Sequence, residues 1–444
     1  MIRSLWPILG VALLLGNTGC GGGRGTFTPV DPDAVVFWDR QDTQSATLMR
    51  ELVRDFNARS GRMPIRWEHA GGYTEIFRKV SAGIQAGLLP AMAVSYESMT
   101  SEYIAAGAAV PLERWIHDSE VGLSEKDLMD FFPAALHSNR YPAHRNRMYS
   151  FPLAKSVLVM YCNREVMRRA GLEKPPKTWK AFLEACRTVR KATGKPAYAA
   201  VPDCSIFSGM VFSMGGEVYD GHQLQYDGPE SLAILDLLET MVCEDLLFMT
   251  PPGTFDDNIA LVQGDAAFVL RSSSSRAYLL RMAGEKGTEL LDIAPIPQKN
   301  PNRPATVLFG PNVTLFAVSE AQQAAAWCFT RWFTEPEQAA RWAVATGYIP
   351  VRRSALEHPL IREAWNEWPP NRVPYDCMVF ARPEPNVDGW QQVRSLVERA
   401  LAEVMSGTRT ARDAAEWLQR EGTRALERAV RAQGRSSADE QTES

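Results

Sequence analysis

The sequence has few histidines and lacks the short motifs that many enzymes and nucleotide-binding proteins carry. Neither G-x-S-x-G, H-E-x-x-H nor a Walker loop occurs in its 444 residues. The glycines at 21–23 follow no predicted strand, so they do not form a phosphate loop. No two histidines have the spacing of paired metal ligands on a helix: His69, His117, His137, His144, His222 and His358. These absences argue against an enzyme, and we predict neither a cofactor nor a metal site.

The sequence also lacks an excess of one charge and a long apolar run. Its 48 basic and 52 acidic residues give a net charge of −4, so composition predicts no affinity for nucleic acid. The apolar run Leu5–Leu15 is too short to span a bilayer permanently. With 45% hydrophobic and 23% charged residues the chain is typical of a globular protein, and its length suffices for two or three domains.

The first residues are typical of an export signal. Arg3 supplies a positive charge, Leu5–Leu15 an apolar core, and Cys20 stands in the sequence G-C-G-G-G. This pattern resembles a bacterial lipoprotein signal, in which the cysteine becomes the lipidated first residue. We therefore expect a signal peptide over 1–20, a flexible tether over 21–30 and an extracytoplasmic protein that Cys20 anchors to the bacterial membrane. The alternative is a plain secretory signal with an incidental cysteine.

The other cysteines are scattered, without C-x-x-C or metal spacing: Cys162, Cys186, Cys204, Cys243, Cys328 and Cys377. An exported protein permits a disulfide, but the spacing does not say which residues would pair. Cys186 and Cys328 fall on apolar helical faces and are predicted to be core residues.

The stretch 73–98 predicts a helix followed by a buried strand. Its apolar residues at 76, 77, 80 and 84 share one helical face, Gly87 ends the helix, and 91–94 is a short apolar run. Tyr73 stands at the helix entrance and Glu97 just past the carboxyl end of the strand. Ligands of open α/β sheets bind at that edge, so both side chains are predicted to point into a cleft. The alternatives are that Tyr73 only caps the helix and that Glu97 is a solvated loop acid.

Strands and helices alternate from the start of the globular region. Strands over 34–38 and 64–68 flank a helix over 43–57, and the helix and strand of 73–98 follow. This β-α-β-α-β order predicts right-handed crossovers and a parallel sheet. Further strands are predicted over 157–162, 198–201, 266–270 and 313–318, and further helices over 175–193, 231–243, 258–263, 278–282, 321–333, 337–345, 391–405 and 410–432. The polar tail, 433–444, is predicted to be disordered.

Four segments, in a characteristic order and spacing, carry a resemblance to a known family. They are Phe37-Trp38 before a helix ending in Asp55-Phe56-Asn57, the stretch Gly87–Pro90, Tyr161-Cys162-Asn163-Arg164, and Thr346-Gly347-Tyr348-Ile349-Pro350. With the C-terminal helices they cover nearly the whole mature chain. The sequence resembles the bacterial extracellular solute-binding proteins of ABC importers, the carbohydrate-binding family that includes the maltose-binding protein.

The resemblance implies an α/β chain with the two-lobed, type II periplasmic-binding-protein fold. Lobe 1 is expected over 31–150 and 313–350, and lobe 2 over 151–312 and 351–432, joined by three hinge crossings near 150, 312 and 350. It further implies a monomer that binds a small molecule in the cleft between the lobes and closes by hinge motion. The closed form would dock on the transmembrane subunits of an ABC permease.

Within the family the likeness is strongest to members that bind sn-glycerol 3-phosphate, and it implies a set of ligand-binding residues. Tyr73 and Glu97 match a tyrosine before the helix and a glutamate in a Y-E pair after the strand. The other residues come from four motifs and one glycine. Ser156 ends the motif S-F-P-x-x-x-S, and Ser273 (or Ser272) belongs to G-D-x-A…S-S. Tyr348 lies in T-G-Y-x-P, Arg394 in Q-x-R, and Gly310 is a glycine that opens a late strand.

The chemistry of these side chains fits a phosphate ester. A phosphate binds a guanidinium such as Arg394, hydroxyl donors such as Ser156 and Tyr348, and free backbone N–H groups. Glu97 would repel the phosphate but would accept hydrogen bonds from glycerol hydroxyls at the other end of the pocket. Plainer alternatives are Arg394 as a surface helix residue, Tyr348 as a core aromatic and Ser273 as a helix cap.

One departure from the family pattern widens the predicted ligand range. Members that bind glycerol 3-phosphate carry tryptophans in the segment aligned with 201–208, and this sequence has none there. The wider pocket makes a glycerophosphodiester such as glycerophosphocholine a candidate, with Asp203 either near the choline or solvated in a loop. The alternatives are an uncharged oligosaccharide of maltose or trehalose type, stacked on Trp38, Trp67 or Trp390, and, less favoured, a lipid-anchored enzyme or a sensor.

Overall fold

The structure, a computed structural model, describes residues 26–442, with side chains through residue 431. The predicted signal peptide, its Cys20 and residues 21–25 of the predicted tether lie outside the described residues. Across residues 26–442, no helix is both long and apolar enough to cross a membrane.

The strands of the described chain are β1 (Thr28–Pro29), β2 (Val35–Asp39), β3 (Ile65–His69), β4 (Leu88–Leu89), β5 (Met92–Ser95), β6 (Arg140–Tyr141), β7 (Arg147–Met148), β8 (Ser150–Pro152), β9 (Ser156–Asn163), β10 (Tyr198–Ala200), β11 (Leu247–Met249), β12 (Phe268–Ser272), β13 (Leu291–Pro295), β14 (Thr306–Phe309), β15 (Asn312–Leu315) and β16 (Ala381–Pro383).

The helices are α1 (Thr43–Ser60), α2 (Tyr73–Ala86), α3 (Glu97–Ala105), α4 (Glu113–Ile116), α5 (Glu125–Asp130), α6 (Pro133–His137), α7 (Arg164–Arg169), α8 (Trp179–Thr193), α9 (Cys204–Ser213), α10 (Pro229–Cys243), α11 (Asp256–Gln263), α12 (Ser275–Ala283), α13 (Gly287–Leu290), α14 (Glu320–Phe333), α15 (Pro336–Thr346), α16 (Pro359–Glu367), α17 (Val373–Cys377), α18 (Trp390–Met405) and α19 (Ala411–Thr442). Short 3₁₀ turns lie at Pro142–His144, Gly284–Lys286, Ser354–Glu357, Pro369–Arg372 and Met378–Phe380.

The first lobe is built on a five-stranded sheet with the order β3-β2-β5-β15-β8. β2 pairs in parallel with β3 and β5, which confirms the predicted parallel sheet, while β15 runs antiparallel to β5 and β8. α2 buries Ile76 and Val80 and ends at Gly87, whose left-handed backbone (φ 69°) glycine adopts without strain. Burial of an aliphatic side chain such as Val80 contributes about 1.5–3 kcal/mol. Because β2 and β5 run parallel to each other, their carboxyl ends lie at the same edge of the sheet.

The second lobe is built on a seven-stranded sheet with the order β11-β10-β12-β9-β14-β16, in which β13 also pairs with β9. The central strand β9 is buried along its whole length, so its apolar run faces packed neighbours on both sides. α8 begins as predicted, because the Thr178 hydroxyl accepts a hydrogen bond from the backbone N–H of Ala181 at 3.2 Å. Its predicted face, including Trp179 and Phe182, is buried against this sheet.

The described chain passes between the two sheets three times. The passages lie at 152–156, at 309–312 and after α15. Lys155 in the first passage and Ile349 in the third exchange backbone hydrogen bonds of 2.9 and 2.6 Å, so these two passages run side by side. Two α/β lobes joined in this way agree with the predicted fold class; the residue bounds of the lobes stay predictions.

Two predictions at the chain ends need correction. Residues 28–29 were expected in the flexible tether, but they form β1 and pair in parallel with β4. The carbonyl groups of Gly87 and Leu89 accept hydrogen bonds from the N–H groups of Thr28 and Val30, each at 2.9 Å, and composition alone gives no sign of such pairing.

The tail was predicted to be disordered from 433, but α19 continues through Thr442. A helix once formed gains one backbone hydrogen bond per added residue, and no proline interrupts 411–442.

All six cysteines within residues 26–431 are free thiols. Cys186 and Cys328 are buried, which confirms their assignment to the core.

Candidate functional site

A cleft of about 340 Å³ lies between the lobes. Lobe 1 contributes the segment after β2, the start of α2 and the residue after β5, all at carboxyl ends of parallel strands or next to them, where ligands of α/β sheets bind. Lobe 2 contributes the start of β9 and the turn between β12 and α12. The polar residues of its lining are Arg40, Gln41, Asp42, Thr43, Ser45, Tyr73, Tyr96, Ser156, Asp203, Arg271, Ser272, Ser274, Ser275, Tyr278, Arg281, Thr346 and Tyr348.

Two tyrosines and two arginines form a continuous stack beside this cleft. The rings of Tyr73 and Tyr96 stack with centroids 3.9 Å apart and planes inclined by 26°. The guanidinium carbon of Arg40 lies 5.2 Å from the Tyr73 centroid, and that of Arg394 lies 5.2 Å from the Tyr96 centroid. Both distances are within the range of cation–π attraction. The stack thus joins three residues of lobe 1 to one residue of lobe 2.

Arg40 is the cation at the cleft end of this stack. Its Nη1 donates a hydrogen bond to the Tyr348 hydroxyl at 3.1 Å, and no carboxylate of residues 26–431 forms an ion pair with it. The neighbouring Tyr348 holds the pKa of the Arg40 guanidinium above its usual range. The backbone at the first residue of α1 is strained, since Thr43, a β-branched residue, has φ of +46°. This tight turn directs Arg40 and Thr43 to the same cleft.

Serine hydroxyls face the cleft from lobe 2. Ser272 Oγ donates to Ser156 Oγ at 2.8 Å and lies 2.8 Å from Ser274 Oγ. Ser274 and Ser275 stand where α12 begins, and the N-terminal end of a helix favours negative charge. The Tyr161 hydroxyl fixes this turn by donating to the carbonyl of Ser272 at 3.1 Å. Three hydroxyl groups and a helix start therefore form a wall suited to an anion.

Ser273 is placed differently from its neighbours. It is fully buried, and its Oγ accepts the backbone N–H of Val157 at 3.2 Å. Its side chain therefore joins β12 to β9 and does not line the cleft.

Arg394 forms a buried ion pair behind Tyr96. Its Nη1 lies 2.6 and 2.5 Å from the two carboxylate oxygens of Glu384 and donates to Ser205 Oγ at 3.0 Å. Burial by itself would raise the pKa of Glu384, but the charge of the Arg394 guanidinium outweighs burial and holds this pKa below its usual value. Trp390 Nε1 also donates to Glu384, at 3.0 Å. The charge of Arg394 is thus compensated within lobe 2.

Glu97 is likewise compensated, by a fully buried lysine. Lys155 Nζ lies 3.2 Å from Glu97 Oε1 and donates to Ser138 Oγ at 3.0 Å and Asn312 Oδ1 at 2.7 Å. Burial lowers the pKa of Lys155. Glu97 and Arg394 both line a small cavity of about 10 Å³ that shares Tyr96 with the larger cleft.

The eight predicted site residues therefore divide into two groups. Five of them line the cleft: Tyr73, Ser156, Ser272, Gly310 and Tyr348. Glu97 and Arg394 lie behind Tyr96, and Ser273 lies within the sheet.

The cleft is also lined by residues that were not predicted, among them Arg40, Ser274, Phe255 and Tyr278. Arg40 directly follows β2, so the strand-end rule that selected Glu97 would have selected it too. The cleft lining does not include the tryptophans expected as sugar platforms, Trp38, Trp67 and Trp390. It does include Asp203, whose carboxylate also caps α9 by accepting the N–H of Ile206 at 2.9 Å.

Residues 51–369 match the model of a family described as bacterial extracellular solute-binding protein, and this is well over half of the chain. The chain belongs to this family, which confirms the predicted relationship. Membership supports a small-molecule ligand and an ABC permease as partners.

Individual relatives are distant but similar over nearly their full length. The sn-glycerol-3-phosphate-binding periplasmic protein UgpB of Salmonella paratyphi A is 24% identical over 450 residues, which cover 96% of this chain and 98% of the relative. Among solved structures, UgpB of Mycobacterium tuberculosis, in complex with glycerophosphocholine, has a TM-score of 0.80 at 21% identity and covers 89% of this chain and 99% of its own. The GacH receptor of Streptomyces glaucescens, solved unliganded and with acarbose, has a TM-score of 0.77 at 16% identity, with 90% and 99% covered. These likenesses confirm the predicted type II fold.

Proposed function

We propose that this chain is the lipid-anchored, extracytoplasmic solute-binding component of an ABC importer. Its proposed ligand is glycerol 3-phosphate or a glycerophosphodiester such as glycerophosphocholine, which it delivers to the permease without making or breaking a bond. The observation that carries the proposal is Arg40, a cleft arginine without a carboxylate partner among the described residues, opposite a wall of serine hydroxyls. The distant relatives that bind such ligands add support.

The proposed phosphate contacts follow from hydrogen-bonding chemistry. Arg40 offers N–H donors in a planar fork, and Tyr348, held by Arg40, keeps a hydroxyl that can donate to an oxyanion. Ser156, Ser272 and Ser274 provide further hydroxyl donors from the other lobe. A phosphate bound between them would bridge the lobes and favour the closed form.

Arg394, first expected to hold the phosphate, is proposed instead to position Tyr96. Its charge is already satisfied by Glu384 at 2.5 Å, and its guanidinium packs on the Tyr96 ring. Releasing it to a ligand would leave Glu384 buried without a partner, which is costly. Glu97 is paired with Lys155 in the same way. We therefore propose that Glu97 helps to hold Lys155 in the hinge and does not contact the ligand.

An uncharged oligosaccharide remains the second candidate ligand. Aromatic rings line the cleft on both lobes, among them Tyr73, Phe255 and Tyr278, and sugars stack on such rings. The GacH receptor, similar in fold, was solved with acarbose. Arg40, which forms no ion pair with a carboxylate of residues 26–431, favours the phosphate ligand over this alternative.

Isothermal titration of the purified protein with glycerol 3-phosphate, glycerophosphocholine and maltose tests the proposal. We expect saturable binding of a phosphate compound, and a loss of roughly 10- to 100-fold in its affinity on Arg40→Gln. Arg78→Gln, which removes an exposed arginine of α2 that does not line the cleft, is the matched control and should have a small effect. Binding of maltose alone, or an unchanged affinity in Arg40→Gln, would overturn the phosphate assignment.

The lipid anchor is a separate part of the proposal. It rests on the sequence around Cys20. Substitution Cys20→Ser should move the protein from the membrane fraction to the soluble fraction of its bacterial host. Retention at the membrane would contradict lipidation at this residue.

A further inference from the structure

An aromatic pair, one ring exposed and the other half-buried, lines the cleft. Phe255, just before α11, and Tyr278, on α12, both line the cleft, and their ring centroids are 4.7 Å apart with planes inclined by 34°. Phe255 is 48% exposed, and Ile259, one turn further along, is 38% exposed. Such exposed apolar surface beside a polar cleft is typical of a contact that a ligand completes.

We propose that Phe255 and Tyr278 form a second subsite, which binds the cationic head group of a glycerophosphodiester. This inference rests on the proposed function and deepens it, because it selects the diester of an amino alcohol over glycerol 3-phosphate. An ammonium group is attracted to the face of an aromatic ring within about 6 Å of its centroid. The packing of the two rings against each other fixes the position of the ring surface that would meet the cation.

The spacing along α12 fits such a ligand. Ser274 precedes the helix and Tyr278 follows four residues later, so they are about 6 Å apart along the axis, on the same side of the helix. A phosphate at the serine wall therefore places its amino-alcohol substituent next to the Tyr278 ring. The two-carbon linker between phosphate and ammonium in such esters spans this kind of distance.

The charges of the cleft favour a ligand without net charge. Arg271 is compensated by Asp257, whose Oδ1 lies 2.6 Å from Arg271 Nη2. The other charged residues of the lining are two arginines and two aspartates: Arg40, Arg281, Asp42 and Asp203. A phosphate monoester brings a charge of about −1.5 to −2 at neutral pH into this balanced cleft. A phosphodiester with a cationic head group is a zwitterion and leaves the balance unchanged.

The cleft also has room beyond a triose phosphate. Its volume of about 340 Å³ falls within the range of roughly 300–1,000 Å³ that holds drug-sized ligands.

The test is titration calorimetry of the full chain with three ligands: glycerophosphocholine, its isostere with an uncharged 3,3-dimethylbutyl head group in place of choline, and glycerol 3-phosphate. Phe255→Ala is the test variant, since an exposed side chain is removed and folding should be unaffected. Ile259→Ala is the matched control, because it removes a neighbouring exposed apolar residue that does not line the cleft. Phe255→Leu keeps an apolar side chain but removes the aromatic ring, so it tests whether binding depends on the ring itself.

We expect the wild-type protein to bind glycerophosphocholine more tightly than the other two ligands. Phe255→Ala and Phe255→Leu should weaken glycerophosphocholine by about 5- to 30-fold and leave glycerol 3-phosphate unchanged. Equal affinity for the choline ester and the isostere with the uncharged head group, or equal effects of Phe255→Ala on all ligands, would overturn the cation subsite while leaving the phosphate site intact. Failure of the wild type to bind any phosphate compound would instead reject the proposed function.

Discussion

The ammonium of Lys155 lies 2.7 Å from Oδ1 of Asn312, and this contact joins two of the three passages between the lobes. The backbone of Lys155 is hydrogen-bonded to the third passage at Ile349, and its ammonium also reaches Glu97 at the start of α3. A single buried residue, Lys155, therefore contacts the other two passages of the hinge next to the cleft.

We expect Lys155→Met to lower the free energy of unfolding by about 3 kcal/mol, because Glu97 and Asn312 lose a buried charged partner. Urea denaturation followed by fluorescence measures the change. The double variant Lys155→Met/Glu97→Gln should recover part of the loss. Arg187→Met, which breaks exposed ion pairs, is the control and should change stability little. A Lys155→Met protein as stable as the wild type would contradict this account of the hinge.

Gly310, in the second passage, has no space for a side chain. A Cβ there would lie 2.5 Å from Lys155 Cδ and 2.8 Å from the Ala154 carbonyl oxygen. We therefore expect Gly310→Ala to destabilise the protein by about 1–3 kcal/mol, visible as a lower Tm. Since the clash with the backbone carbonyl persists, adding Lys155→Ala should not restore stability. A rescue by that second substitution would show that the lysine side chain alone excludes a larger residue.

The role of Arg394 can be decided by removing its whole ion pair. Arg394→Met should cost about 3–5 kcal/mol of stability, because Glu384 is left buried and charged. Arg394→Met/Glu384→Leu should regain most of that stability and, if Arg394 only positions Tyr96, most of the affinity for the phosphate ligand. Calorimetric titration of the double variant gives the answer. A stable double variant that no longer binds would assign Arg394 to the ligand.

Glu398 makes stability depend on pH. Burial, opposed by the Arg394 charge, raises the pKa of Glu398 from 4.5 to about 7. Between these values the folded protein holds a proton that the unfolded chain has lost, so stability falls as the pH rises from 4.5 to 7. The side chain is 39% exposed, and solvent screening reduces the effect to about 1 kcal/mol.

The check on Glu398 is urea denaturation at pH 5 and pH 8. The wild-type midpoint should fall between them by more than that of Glu398→Gln, which cannot titrate. Identical pH profiles for the two proteins would exclude this residue as the source.

Much of the fold could be predicted from the sequence because its signals are local. The face of α2, its end at Gly87 and the cap of α8 at Thr178 each depend on residues within one or two helical turns. The alternation of strands and helices then predicted a parallel sheet, and with the family resemblance two lobes. Five residues of the cleft lining were among those that the family resemblance implied, because its motifs can be matched along the chain without knowledge of the fold.

The predicted site residues that do not line the cleft, and Arg40, which was not predicted, have partners far away in sequence or on another element. Arg394 and Glu384 are separated by a loop, and whether they pair depends on how that loop packs against α18. Arg40 and Tyr348 are 308 positions apart, so nothing local marks them as neighbours. Ser273 lies in the turn directly after β12, and its hydroxyl is hydrogen-bonded to Val157, 116 positions away.

Hydrophobic period, caps and motifs act over short distances, so the kinds of element, their order and the available chemical groups can be read from the chain alone. Which charges remain without a partner depends on how the elements pack. Arg394 and Glu97 have buried partners and Arg40 has none among the described residues, because charge pairing is a contact between elements that chain order does not specify.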